Sequence, residues 1–423
     1  MHDALKKNGF LISLLFLAAF AAYAGRADVN RDGSVTAVDI TAVYNVILGN
    51  DSSFVITADV NQDGVVNAAD ITIVYNVLLG NETDPEPHQP VVVAYCPYYA
   101  GNRLPDPFIV THINYAFAEV YVRNGNYVKF NLQDDGNTSI LQQLIAFKHD
   151  NPDLKICLSF SHTVVNSDNY QDGGFSAIAA NDDNRRRFAQ DCLNFCQQWN
   201  IDGIDIDWEF PGLSWSGAAC NPAVDTQNYT LLIKQLRQTL GNQYLLTFAG
   251  YVKDKQPTTG GYRYIDIASV EPYVNFVNLM TYDMDAAPHF QSAISHPASY
   301  WDCERAINAY ASAGFPMNKI VLGIPFYMRH AWDGANAVVD YRNLGMMGDE
   351  YVIDNWSEAA QCPYVTRNGE FFGSYDNPQS IALKGQWARQ LGLKGMLYWE
   401  CSEDDDNKTL SHAVWNAVMA AGN

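Results

Sequence analysis

Ile201-Asp202-Gly203-Ile204-Asp205-Ile206-Asp207-Trp208-Glu209-Phe210-Pro211-Gly212 carries four acids, interleaved with apolar residues. Such alternation predicts a β-strand, because side chains along a strand change face at every residue. Asp205, Asp207 and Glu209 then share one face, and Ile204, Ile206 and Trp208 share the other. The apolar face suits a core. The acidic face must meet water or hydrogen-bond donors, since an unpaired buried charge is costly. Pro211-Gly212 stops the strand just past Glu209. A solvated acidic strand and a metal site are the plainer readings. No His stands nearby at ligand spacing, and hard cations favour loops. Three carboxylates on one face raise one another's pKa, which suits a proton donor at the far end.

Working outward, residues 91–423 repeat one theme, a short apolar strand followed by a polar loop and a helical stretch. Strands are predicted at 91–95, 112–118, 155–160, 203–208, 245–249, 276–281, 320–324 and 395–399, with helical patterns such as 184–199, 226–240 and 300–313 between them. Eight alternations predict an α/β fold, a (β/α)8 TIM barrel. A doubly wound open sheet is the alternative, though no glycine-rich phosphate loop supports it. Barrels of this kind carry chemistry where their strands end. Glu209 ends the fourth strand. Tyr95, Phe117, Met280 to Asp283 and Tyr398-Trp399-Glu400 end or lie late in others. Several aromatic and polar groups on one rim predict a pocket.

The chain has 423 residues and a net charge of -21. That acidity argues against nucleic acid and anionic membrane surfaces as partners and suits a neutral polymer such as a glycan. Lys6 and Lys7, an apolar run over 10–21 and Ala22-Tyr23-Ala24 read as a secretory signal over 1–24, implying a secreted chain with no membrane span after cleavage. The run is short for a membrane anchor. Eight Cys lie beyond residue 90. Their number permits disulfides, but spacing does not assign connectivity.

Between the signal and the barrel lies a repeat. Asp28 to Asp39 recurs 31 residues later as Asp59 to Asp70. Each loop offers oxygen ligands at EF-hand positions: Asp28, Asn30, Asp32, Ser34 and Asp39 in one, Asp59, Asn61, Asp63, Val65 (through its carbonyl) and Asp70 in the other. Gly33 and Gly64 occupy the sharp turns. Two Ca2+ sites are predicted, each followed by a helix with an apolar stripe: Ile40, Val43, Tyr44, Ile47 and Leu48, then Ile71, Val74, Tyr75, Leu78 and Leu79. The two stripes are expected to bury against each other. So small a domain, assigned to 25–82, needs calcium to fold. Residues 83–90 read as a Pro-rich linker. The pair resembles a dockerin, an all-α module that binds cohesins on scaffold proteins. Loop positions 10 and 11, which often carry Ser-Thr in dockerins, are Ala37-Val38 and Ala68-Ala69 here. A calcium-stiffened spacer without a cohesin partner is the plainer reading.

Asp202, Asp205, Asp207 and Glu209 complete the D-x-x-D-x-D-x-E signature, and the chain resembles glycoside hydrolase family 18, the chitinases and endo-β-N-acetylglucosaminidases. Asn114-Tyr115-Ala116-Phe117, Met280-Thr281-Tyr282-Asp283, the segment Gly323 to Arg329, Ser374-Tyr375-Asp376 and the segment Gly395 to Trp399 extend the likeness over the whole domain. One departure is Ser159-Phe160-Ser161-His162, where the family usually has Ser-x-Gly-Gly. The insertion that walls the cleft in many members must be small or absent, since about fifty residues separate Gly323 from Tyr375. The resemblance implies a retaining, substrate-assisted mechanism without a catalytic cofactor, in which the sugar's own acetamido oxygen attacks. Glu209 is then acid and base, Asp207 stabilises the oxazolinium, Asp205 tunes Asp207, and Tyr282 donates to the acetamide. Asp283, Trp399, Tyr95, Phe117, Met280 and Arg329 bind the sugar. The substrate would be chitin or another N-acetylglucosamine-containing glycan. An endo-β-N-acetylglucosaminidase acting on N-glycan cores and a non-catalytic lectin are the rival readings. Trp215, Trp301, Trp332 and Trp356 line subsites or pack in the core.

Overall fold

The computed structural model describes residues 25–419, except 31, 33, 52, 62–64, 83–89, 163–173, 214–218, 253–256, 259–260, 263, 296–300 and 335–336. The predicted signal and Asp63, Trp215 and most of the linker lie outside the described residues. Two compact units form, Met1–Pro87 and His88–Asn423. Among the described residues no helix is long and apolar enough to cross a membrane.

The larger unit is a closed barrel. Its parallel strands are β1 (Val91–Pro97), β2 (His112–Arg123), β3 (Lys155–Ser161), β4 (Gly203–Asp207), β5 (Leu245–Gly250), β6 (Phe276–Leu279), β7 (Ile320–Pro325) and β8 (Gly395–Trp399). They pair in chain order, β8 pairs with β1, and β1 pairs with β2, so no edge is left and the open-sheet alternative falls. Alternation explains the layering. On β1, Val92, Ala94 and Cys96 join the core beneath the helices, while Val91, Val93 and Tyr95 fill the barrel interior. Ile204, Ile206 and Trp208 likewise join the helix-side core, which turns Asp205 inward.

Helices Asp182–Trp199 and Asp225–Leu240 cover β4, and the helix Cys303–Ser312 falls inside the predicted 300–313 pattern. Two elements had no clear periodic signal. A hairpin strand, Asn126–Leu132, pairs antiparallel with the long end of β2. After β7 a five-stranded antiparallel sheet is inserted, in the order Val338–Asp340, Tyr327–Arg329, Glu370–Ser374, Cys362–Arg367, Tyr351–Ser357. The cleft insertion is therefore present, small and built of strands. All eight cysteines are free, seven of them buried.

In the smaller unit, helices Ala37–Ile47 and Ala68–Leu78 start from capping boxes at Thr36 and Asn67. Their apolar stripes only partly meet. Val43 and Val74 are buried in a small core with Ala27, Val29, Ala42, Ala58 and Val60. Tyr44, Ile47 and Leu48, and at the equivalent positions Tyr75, Leu78 and Leu79, are 40–67% exposed. The expectation that the two stripes cover each other is corrected here. A three-turn helix crossing its partner reaches only the nearer half of a broad stripe.

Candidate active site

The C-terminal ends of the barrel strands surround a cavity of about 420 Å³. Its lining includes Asp207 and Glu209 from β4 and the turn after it, Met280, Tyr282 and Asp283 after β6, Tyr95 and Phe117 from β1 and β2, and Trp399 from β8. Residues up to three hundred positions apart thus meet, because each lies where a parallel strand ends on the same face. Three non-proline cis peptide bonds, Ala116–Phe117, Glu209–Phe210 and Trp399–Glu400, lie at this rim.

Asp205 lies beneath the cavity and is fully buried. Four donors converge on its carboxylate. Tyr95 Oη (2.9 Å) and Ser159 Oγ (2.7 Å) donate to Oδ2. Thr247 Oγ1 (2.6 Å) and Asn278 Nδ2 (3.1 Å) donate to Oδ1. Burial pushes its pKa up, and these bonds pull against that. Asp207 is pushed well above the ordinary carboxylate range by burial, then by the charges of Glu209 and Asp205. Coupled like charges disfavour each other's ionisation, which favours a proton held by the pair at the cavity. Asp207 Oδ1 is buried without a hydrogen-bond partner among the described residues. Burial and then Asp207 and Glu209 push the Tyr282 phenol well up, which keeps it a donor.

Asp283 takes a left-handed backbone (φ 51°). Its carboxylate accepts from Tyr327 Oη at 2.7 Å and from Arg329 Nε and Nη2 at 2.5 and 2.9 Å. Arg329 does not line the cavity; it grips Asp283 and lies over the ring of Trp332, 5.4 Å from its centroid. Trp399 stacks on Phe117 (5.5 Å between centroids, 21° between planes) and leans against Tyr95. Trp332 lines the cavity, whereas Trp301 packs against the helix-side core and Trp356 lies on the inserted sheet.

Sequence reasoning missed Tyr98, Tyr99, Gln133 and Tyr251, all of which line the cavity. Tyr327 and the Ser161-His162 pair were legible only through the motifs containing them. His162 fills space beside the acids, and its backbone N–H donates to the Asp207 carbonyl at 3.3 Å. Burial lowers its pKa, so the ring is neutral near pH 7. Asp202, at the other end of β4, pairs with Lys148 at 2.8 Å and accepts the Ile156 N–H, far from the cavity.

An acid at a cavity rim, backed by two more on the same strand, agrees with a match to the model of glycosyl hydrolases family 18 over residues 91–404. The chain belongs to glycosyl hydrolases family 18. It is 27% identical over 396 residues to Chitinase A1 of Niallia circulans, a match covering 73% of this chain and 55% of that one. Among solved structures, it is similar to chitinase ChiW from Paenibacillus sp. (TM-score 0.67, 26% identity, 79% of this chain and 43% of that one). It is also similar to a family 18 N-acetylglucosaminidase from Paenibacillus barengoltzii (TM-score 0.64, 27% identity, 78% and 100%). The chain thus spans about half the length of the first two relatives.

Residues 26–79 match the dockerin type I domain. In its first loop Asp39 is fully buried and accepts the N–H groups of Asn30 (3.0 Å) and Thr36 (2.8 Å). Asp28 Oδ1 accepts the Asp32 N–H at 3.1 Å. In the second, Asp70 accepts from Asn61 and Asn67 in the same way. In each loop the twelfth-position carboxylate thus accepts backbone N–H groups of its own loop. This hard, all-oxygen donor set fits Ca2+. Among the described residues no three His, Cys, Asp or Glu side chains already converge as a metal cage. The remaining ligands would then be Asn30, Ser34 and backbone carbonyls, in keeping with an EF-hand-like loop.

Proposed function

We propose that this chain is a glycosidase that hydrolyses β-1,4 bonds next to N-acetylglucosamine, in chitin or chitooligosaccharides, by a retaining, substrate-assisted route. The observation that carries the reading is the Asp207–Glu209 pair, two carboxyls from one strand end lining an aromatic-walled cavity, with Asp207 Oδ1 buried and unpartnered among the described residues. Glu209 protonates the leaving oxygen and then takes a proton from water. Asp207 Oδ1 is suited to accept the N–H of the sugar's acetamido group and to stabilise the oxazolinium. Tyr282 donates to the acetamido oxygen, Trp399 underlies the sugar, and Asp205 holds Asp207 in its raised state. Arg329 acts through Asp283. Tyr95 anchors Asp205, and Phe117 and Met280 shape the wall.

Glu209→Gln is expected to lower turnover of N-acetylglucosamine oligomers by at least ~10²-fold with an unchanged melting temperature. Near-normal activity would refute the assignment. Proton NMR of the first product should show the retained anomer.

One observation favours a second reading. The insertion beside the cleft is only a small sheet, which leaves room for a branched glycan and so for endo-β-N-acetylglucosaminidase action on N-glycan cores. A product profile on a chitin oligomer and on a glycoprotein separates the two. Binding without turnover would make the chain a lectin.

The N-terminal unit is proposed to hold two Ca2+ ions and to dock a cohesin through the exposed helix residues Tyr44, Ile47, Leu48, Tyr75, Leu78 and Leu79. Paired apolar patches on both repeats support a partner face. A pull-down with and without a chelator tests both points. Residues 1–24 are proposed to direct export, and N-terminal sequencing of the exported chain should begin near Gly25.

A further inference from the structure

Behind the turn that bears Tyr282 and Asp283 runs a buried polar chain. Lys384, on the helix Pro378–Gln390, is fully buried. Its ammonium pairs with Asp376 Oδ2 at 2.7 Å and donates to Ser292 Oγ at 2.7 Å. Ser292 Oγ donates in turn to the carbonyl of Thr281 at 2.7 Å. Thr281 Oγ1 exchanges hydrogen bonds with the carbonyl and the N–H of Gly323 on β7, both at 2.8 Å. Burial works against the Lys384 ammonium, but Asp376, together with Cys303 and Cys362, offsets it and the group stays charged.

The direction of this chain is dictated by chemistry. An ammonium only donates, so the Ser292 oxygen must accept from it. The hydroxyl has one proton, which is left for the Thr281 carbonyl. That carbonyl belongs to the peptide joining Thr281 to Tyr282, so its orientation sets the plane from which Tyr282 departs. The next residue, Asp283, holds a left-handed conformation uncommon outside glycine. A buried lysine is rare, and burying this one serves no surface purpose.

We propose that Lys384 is a positioning residue, which through Ser292 holds the Thr281–Tyr282 peptide and so aims Tyr282 and Asp283 into the cavity. The consequence for turnover rests on the hydrolase reading; the positioning itself does not.

Four variants test it: Ser292→Ala, the charge-free Lys384→Met/Asp376→Leu, Tyr282→Phe, and Ser292→Ala combined with Tyr282→Phe. Hydrogen exchange is read at residues 280–284, with melting temperature, kcat and KM on an N-acetylglucosamine oligomer. Faster exchange confined to that turn is expected in Ser292→Ala and in the charge-free variant. In both, kcat should fall about tenfold or more while KM moves less than about threefold, as for a misplaced group acting in the transition state. With Tyr282 already Phe, adding Ser292→Ala should cost clearly less than it does in the wild type, because the part of its effect that runs through the Tyr282 hydroxyl is already gone. Unchanged exchange at the turn overturns the proposal. So does a charge-free variant with wild-type kcat, or losses that multiply in full. If exchange rises as expected but the wild type turns over no substrate, the positioning stands and the hydrolase reading falls.

Discussion

Asp205 accepts two donors on each carboxylate oxygen, so it has nothing left to offer a sugar. Its influence reaches the cavity as charge, through Asp207 two residues on. Asp207 carries the thermodynamic mark of this arrangement. Its folded-state pKa lies above the unfolded value, so the folded state binds the proton more tightly. Stability then falls as pH rises from the ordinary carboxylate range through the folded value. Asp207→Asn removes that titration. Its melting temperature relative to wild type should therefore rise as pH increases upward from about 4, the ordinary carboxylate range. A difference that stays flat as pH rises would show that Asp207 is not held protonated by its site.

At the scale of the element, barrel closure depends on the seam between β1 and β8. Gly395 opens β8 with φ 157°, and a Cβ there would lie 1.9 Å from the Val91 carbonyl oxygen. Gly395→Ala should cost about 2–4 kcal/mol, read as a lower denaturant midpoint, through backbone strain and forced separation of the seam. Gly345, in the 3-10 helix Tyr341–Met346, has open space around its Cβ position. The same change there should stay within about 0.5 kcal/mol. Equal effects at the two sites would disprove the seam argument. The inserted sheet shows the limit of periodicity as a guide. Its strands lie half-buried, as in Tyr351–Ser357, where Tyr351-Val352-Ile353 run apolar and Asp354-Asn355 polar in a row, so no apolar-polar alternation marks them in the sequence.

At the scale of the molecule, two units of very different size share one chain. Among the described residues the smaller one buries seven apolar side chains in its core, all Ala or Val, too few to stand against chain entropy unaided. Calcium binding should supply the difference. Calorimetry should show two transitions, and a chelator should lower only the one belonging to the small unit. Turnover of a soluble oligomer should survive chelation, since the proposed chemistry uses no metal. Loss of turnover with chelator would join the two units functionally and contradict this account.

The sequence by itself determined the barrel, its eight strands and the acidic row on β4, because strand alternation and apolar runs are local properties. It likewise determined the repeat, through the regular spacing of oxygen-bearing residues. Only the tertiary structure decided what each long-range partner does. The saturation of Asp205 needs residues from β1, β3, β5 and β6. The pairing of Arg329 with Asp283, the entry of Trp332 but not Trp301 into the cavity, and the exposure of Tyr44 and Tyr75 depend on closure and crossing geometry. These contacts join positions tens to hundreds of residues apart, and no local pattern encodes which side chains will meet when a sheet closes on itself.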